Sequence, residues 1–343
     1  MVKQLEVSMS TRENMLENTA SRLPSQARNK KITLVVSIGL ALVTGAILFG
    51  SAASQGNAAS QQPTPPAPTG SVMRVAAVGD IHDEEASSIA AATAAEAAKA
   101  DFILGLGDYQ YPDGAMWQYN RYFDKDWGPN VPKMYPVLAP HHDQDWSDAD
   151  PLKYFNGSGA HGYKSAIRLR PYTPYSFDKG SWHFVALPDA CARTRGCRIN
   201  NITSWLQQDL ESHTNRCTIA YWHQPYFTST SSSHGQEASI KPWVDLLVAR
   251  HVDIILQAHN HFYERFAPQN AAREPDPHGP QAFVVGTGGK DLYKFTDTAP
   301  NSVTRDNGTY GVLQLTLKDG SYDWKFVPVA GGTYTDSGSM KCR

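Results

Sequence analysis

The side chains able to do chemistry here are mostly Asp and His, and they recur at one kind of place. The run Ile254-Ile255-Leu256-Gln257-Ala258 ends in His259-Asn260-His261. In extended backbone, residues two apart project to the same side, so where the chain turns both imidazoles can reach one cavity. Neutral imidazoles suit borderline cations such as zinc, manganese or iron. A lone His-x-His is a short motif and, by itself, is read as two surface histidines. Other apolar runs in this chain end the same way. Val75-Ala76-Ala77-Val78 is stopped by Gly79-Asp80-Ile81-His82, and Phe102-Ile103-Leu104-Gly105-Leu106 by Gly107-Asp108-Tyr109-Gln110-Tyr111. Tyr135-Pro136-Val137-Leu138 leads into His141-His142-Asp143, and Thr218-Ile219-Ala220-Tyr221-Trp222 into His223. The constellation is Asp80, His82, Asp108, Tyr111, His141, His142, His223, His259 and His261. Carboxylates can bridge two cations while His and Tyr fill separate corners. That is the composition of a two-metal hydrolytic site, which activates a bridging water and clamps an in-line displacement at phosphorus.

The elements that must position these residues follow from the same runs. The Val75 run, an Ala-rich helix over 84–100 and the Phe102 run read as strand, helix, strand with a parallel pair. A right-handed crossover puts Asp80 and Asp108 at one edge of the sheet, the edge where open α/β sheets bind ligands. A Gly before each Asp permits the tight turn that presents the carboxylate. Phe184–Leu187 reads as a further strand, and 202–212 and 241–250 as helices. The tail from Phe283, with the alternating Gly311-Val312-Leu313-Gln314-Leu315-Thr316-Leu317, fits antiparallel strands that close a second sheet. The expected fold class is α/β, a two-sheet β-sandwich flanked by helices in αββα layers.

Length and composition bound the rest. The chain has 343 residues, 41% of them hydrophobic, with a formal net charge of -2. A folded core is expected, and nothing basic enough to favour a nucleic-acid partner. Ile32–Gly50 carries no charge and follows Arg28, Lys30 and Lys31, so 32–50 reads as a transmembrane anchor or signal sequence with 1–31 cytoplasmic. Small residues after it (Ser51-Ala52-Ala53) would permit cleavage. Residues 51–73 read as a Ser- and Pro-rich linker, and 74–343 as an exported catalytic domain, either anchored or secreted. Export makes disulfides plausible. Four cysteines allow three pairings, one of which joins Cys191 to Cys197 and Cys217 to Cys342. His183, within a strand, is expected to be a buried hydrogen-bonding residue; His161, His234, His251 and His278 are expected to face solvent.

The order Gly79-Asp80, Gly107-Asp108-x-x-Tyr111, a His-His-Asp cluster, His223 and His259-x-His261 resembles the calcineurin-like metallophosphoesterases. The Gly-Asp-x-x-Tyr form and the stretch His259 to Arg265 are similar to the purple acid phosphatase branch, in its exported bacterial form. Gly286-Thr287-Gly288-Gly289 and the final Asp336-Ser337-Gly338 belong to that likeness too. The resemblance implies that Asp80 and His261 hold a first metal, that Asp108 bridges, and that Tyr111 binds the first ion as a phenolate, favouring ferric iron. It implies that His223 and His259 hold a second ion, iron, zinc or manganese. Two departures stand out. The family has Gly-Asn-His where this chain has Pro140-His141-His142-Asp143. Alignment on His-Asp makes His141 the metal ligand and His142 the acid that protonates the leaving group. Gap-free alignment instead puts Pro140 in the ligand place and His141 at the acid. The first is preferred, since imidazole can replace an amide oxygen at zinc. The second departure is His82, an Asp-x-His histidine of the broader superfamily, which competes with Tyr111 for the first ion. The implied activity is hydrolysis of small phosphate monoesters by a metal-bridging hydroxide. The alternatives are a phosphodiesterase or nucleotidase, or an exported metal- or phosphate-binding protein with impaired turnover.

Overall fold

The computed structural model describes residues 72–83, 87–139, 150–193, 197–230 and 234–343. The expectations for 1–71, and for His141 and His142, lie outside the described residues. Among these residues no helix is long and apolar enough to cross a membrane.

The described chain forms two sheets. The first holds β1 (Met73–Val78), β2 (Phe102–Gly105), β3 (Met134–Pro136), β11 (Gly311–Lys318), β12 (Ser321–Pro328) and β13 (Ser337–Lys341), in the order β13-β12-β11-β1-β2-β3. The second holds β4 (Tyr175–Lys179), β5 (Trp182–Ala186), β6 (Cys217–Tyr221), β7 (Ile254–Gln257), β8 (Tyr263–Phe266), β9 (Gln281–Val285) and β10 (Ser302–Asp306), in the order β10-β8-β9-β7-β6-β5-β4. The pair β1 and β2 is parallel, as are β5, β6, β7 and β9 in succession. Helices Ser87–Ala97, Ile199–Ser212 and Lys241–Ala249 run between consecutive parallel strands.

Period-two alternation builds the layers. Along β7, Ile254 and Leu256 enter the core between the sheets, with Val75, Leu104, Phe184 and Leu315. Ile255, pointing the other way, packs with Leu206, Trp243 and Leu247 under the helices. Ala76 and Ile103 do the same on the opposite side, against Ala94, Phe123 and Trp127. Central parallel strands are thus buried on both faces and read as unbroken apolar runs. By contrast β11, on the tail side of the first sheet, alternates buried with partly exposed residues along its second half.

One expectation is corrected here. The tail strands β11 to β13 extend the first sheet, where β11 pairs antiparallel with β1 (Val75 opposite Leu315). The second sheet is completed by β8, β9 and β10, and β10, which lies within the tail from Phe283, pairs antiparallel with β8 as expected. Alternation identified β11 as a strand but carries no information about which open edge it joins. The disulfides are Cys191–Cys197 and Cys217–Cys342. The second spans 125 residues and ties the start of β6 to the chain just after β13. In the chain-entropy account a loop of that size is worth about 4–5 kcal/mol.

Candidate metal centre

The strand ends meet at one place. Asp80 follows β1, Asp108 follows β2, His223 follows β6, and His259 and His261 follow β7. The turns are hydrogen-bonded to one another: Asp80 N–H donates to Gly107 O (3.1 Å), Ile81 N–H to Asp108 O (2.9 Å), Ala258 N–H to His223 O (2.8 Å) and Gly79 N–H to Val285 O (3.0 Å). Gly79 is required by this close approach, since a Cβ there would lie 2.6 Å from the Cβ of Ala258. A Gly before each Asp was expected to permit the tight turn, and the left-handed positions are shared with the functional residues. Gly107 has φ +90°, but at the other turns it is the functional residues that are left-handed: Asp80 at φ 56° and His259 at φ 68°, with Asp108 at φ 49° beside Gly107. Each such residue costs about 1–2 kcal/mol, and strain of this kind gathers at functional sites.

Six side chains converge, all at least nine-tenths buried. The Tyr111 hydroxyl lies 2.8 Å from Asp80 Oδ1, 3.1 Å from Asp108 Oδ2 and 3.2 Å from His261 Nε2. His261 Nε2 is 3.3 Å from Asp80 Oδ1. On the other side of Asp108, His223 Nε2 is 3.2 Å from Asp108 Oδ2 and 3.2 Å from His259 Nδ1. One ligand atom each from Asp108, His223 and His259 lie within 4.8 Å of one another. The tautomers follow from carbonyls, which can only accept. His223 Nδ1–H donates to Leu106 O (2.8 Å) and His261 Nδ1–H to Asp291 O (2.7 Å), leaving each Nε2 facing the cluster.

Burial pushes the Tyr111 hydroxyl well above its ordinary pKa, and the charges of Asp108 and Asp80 push it further. Burial also opposes charge on His223. The Asp108 carboxylate, its hydrogen bond, Asp80 and Asp189 outweigh it and raise the imidazole to about 10. Two buried carboxylates thus meet a phenol and three imidazoles, at 3.2 Å from Asp108 to His223 and 3.3 Å from Asp80 to His261. Converging oxygen and nitrogen donors around concentrated negative charge fit metal cations.

His82 is elsewhere. Its Nε2 lies 3.0 Å from Asp126 Oδ2 and its ring stacks on Tyr122. The β1–β2 ladder continues as a bridge between His82 and Gln110. Beyond it Tyr111, whose N–H donates to His82 O, is the residue whose side chain reaches Asp80 and Asp108. His82 was expected to compete with Tyr111 for the first ion; the geometry brings Tyr111 to the cluster and commits His82 to Asp126.

His183 is buried between Asp178 (2.6 Å) and Asp209 (2.9 Å), while His161, His251 and His278 are exposed. His234 differs from expectation: it is half-buried, 5.0 Å ring to ring from His259 and 5.3 Å from Tyr293. Three contributors had not been singled out. Tyr293 stacks on His261 at 4.0 Å. Asn260 is buried beside both. Asp189 accepts from the backbone N–H groups of His223 (3.4 Å) and Gln224 (2.6 Å), and burial raises it to about 6. Asp189 was findable, because Phe184-Val185-Ala186-Leu187 is one more apolar run that ends, after Pro188, in Asp. The Glu and Arg of the His259–Arg265 stretch serve the fold instead. Arg265 donates to Asp336 through Nε (2.6 Å) and Nη2 (3.0 Å), and Glu264 accepts from Ser229 N–H (2.9 Å).

A two-sheet α/β sandwich with Asp and His at the strand ends defines a metallophosphoesterase fold. The chain belongs to the calcineurin-like phosphoesterase family, whose model matches residues 73–263. Within it, the chain is similar to purple acid phosphatase 15 of Arabidopsis thaliana, 32% identical over 119 residues, 34% of this chain and 22% of that protein. The probable inactive purple acid phosphatase 27 of the same plant is 25% identical over 244 residues, 64% of this chain and 40% of that one. This chain therefore spans well under half the length of either. Among solved structures, the purple acid phosphatase PPD1 of yellow lupin (Lupinus luteus) shares the fold, with a TM-score of 0.62 at 19% identity over 79% of this chain and 54% of that chain.

Proposed function

We propose that this protein hydrolyses small phosphate monoesters at a dinuclear metal centre outside the cytoplasmic membrane. The observation that carries the reading is the convergence of Asp80, Asp108, Tyr111, His223, His259 and His261, with Asp108 Oδ2 within 3.2 Å of both the Tyr111 hydroxyl and His223 Nε2. Asp80, Tyr111 and His261 would hold one ion and His223 and His259 the other, with Asp108 shared. A phenol among the ligands favours iron in the first place; iron, zinc or manganese suits the second. Bound there, the ions supply Lewis acidity toward phosphoryl oxygens and lower the pKa of water. The chain's own contribution is orientation and exclusion. The Leu106 and Asp291 carbonyls fix the imidazoles, and burial keeps bulk water from the carboxylates. The proton needed by the departing alkoxide is assigned to His142, with His141 in the place of a ligand to the second ion. The two disulfides support export, with residues 32–50 as anchor or signal.

Asp108→Asn tests this. Metal content and hydrolysis of an aryl phosphate should both collapse while the far-ultraviolet spectrum stays native; a variant that stays active would sink the two-metal reading. A second reading, a binding protein that holds metal without turning over, is supported by His141 in the family's Asn place and by the relative named as probably inactive. Wild-type protein with both metals bound and no hydrolysis of phosphomono- or diesters would favour it.

A further inference from the structure

We infer that Asp189 is a positioning residue for the second ion: it fixes the turn that carries His223 and so sets that ion's affinity without touching it. The inference rests on the proposed two-ion centre and deepens it, by giving one half a support that the other lacks. Strands β5 and β6 are parallel neighbours, with Ala186 opposite Tyr221. Their backbone bonding runs out just past the strand ends, where Leu187 N–H donates to Tyr221 O (3.0 Å). Beyond it, His223 N–H (3.4 Å) and Gln224 N–H (2.6 Å) donate to the two carboxylate oxygens of Asp189. The side chain thus takes over where the ladder stops. His223 is then held at three points, because Ala258 N–H donates to its carbonyl (2.8 Å) and its Nδ1–H donates to Leu106 O (2.8 Å). Ring and backbone together aim Nε2 at Asp108 and His259.

Asp189 is 2% exposed. Among the described residues no lysine or arginine pairs with its carboxylate, which is met by those two N–H groups. A buried carboxylate without a cation is unfavourable, and an ion held through His223 would supply the balancing charge. The first half of the centre is supported differently. His261 is oriented by Asp291 O (2.7 Å), and the turns of Asp80 and Asp108 are bonded to each other. Loss of Asp189 should therefore fall on the second ion alone.

The test titrates zinc calorimetrically into the chelator-stripped protein, for wild type, Asp189→Ala, Asp189→Asn and a control, Asp253→Asn. Asp253 is also 2% exposed, and it accepts from the N–H groups of Thr218 (2.8 Å) and Arg343 (2.8 Å) at the opposite end of β6. Asp189→Ala should weaken the second zinc by about 10–100-fold, the loss typical of a group that orients a ligand, and leave the first unchanged. Excess zinc should recover part of the lost hydrolysis of phenyl phosphate. Asp189→Asn, of the same size and still an acceptor, should lose less, and it decides the matter if the alanine variant does not fold. Asp253→Asn should lower the denaturation midpoint while both affinities stay as in wild type. Equal weakening of both zincs, unchanged binding in the Asp189 variants that fold, or a matching loss in Asp253→Asn would each overturn the inference. A wild type that binds a single zinc would remove the dinuclear centre itself, and the inference with it.

Discussion

Gly107→Ala perturbs the metal centre without substituting any proposed ligand. Gly107 has φ +90°, and a Cβ there would lie 2.8 Å from His223 Nδ1 and 3.0 Å from the Cβ of Ala139. An L-residue in the left-handed region costs about 1–2 kcal/mol. Overpacking a dry interior adds about 1–3 kcal/mol, giving a total near 2–5 kcal/mol. His223 is fully buried and held to Leu106 O at 2.8 Å, so it can yield only by turning. Turning breaks that hydrogen bond and takes Nε2 away from Asp108 and His259. Loss of such an orienting contact typically costs about 10–100-fold in metal affinity. Gly331→Ala is the control: φ is +80° there too, but a Cβ would meet nothing within 4 Å, so only the backbone cost remains. Denaturant unfolding and calorimetric metal titration of both variants separate the two contributions. If Gly107→Ala lost no more stability than Gly331→Ala and bound metal like wild type, His223 would not be positioned by this packing.

Tyr111→Phe should abolish a visible charge-transfer band from the phenol to ferric iron; a colourless, fully active zinc or manganese protein would refute iron in that place. His141→Ala should lower metal occupancy, with activity partly restored by excess metal, whereas His142→Ala should keep both metals and slow esters with poor leaving groups most. The reversed pattern would show that His141 is the acid. Away from the centre, burial disfavours charge on His183, but its hydrogen bonds to Asp209 and Asp178 outweigh burial and raise its pKa above 6.5. Its stabilising contribution is therefore full below about pH 6.5 and is lost as pH rises through the raised value. The stability gap between wild type and His183→Gln should narrow with rising pH, and denaturation midpoints that diverge instead would contradict the assignment.

How much of this was legible depended on the range of the signal. The runs before Asp80, Asp108, His223 and His259 are apolar because parallel strands are covered on both faces, so their abrupt ends mark the sheet edge directly in sequence. Crossover handedness then places those ends together without any knowledge of contacts. The sorting of Ile254 and Leu256 from Ile255 is equally local, a consequence of the pleat. Even Asp189 obeys the rule, one residue late, because Pro188 intervenes.

The sequence by itself determined the αββα layering and the residues at the strand ends, because period and chirality act over a few residues. The tertiary structure alone placed the Tyr111 hydroxyl beside Asp80 and His82 against Asp126, which comes from a segment 44 residues further along. It decided that β11 joins β1, and that His234 and Tyr293 close round the histidines. Each of these is a choice among partners far apart in the chain. Such choices are fixed by which surfaces remain open once the local elements have packed, and no spacing along the sequence encodes them.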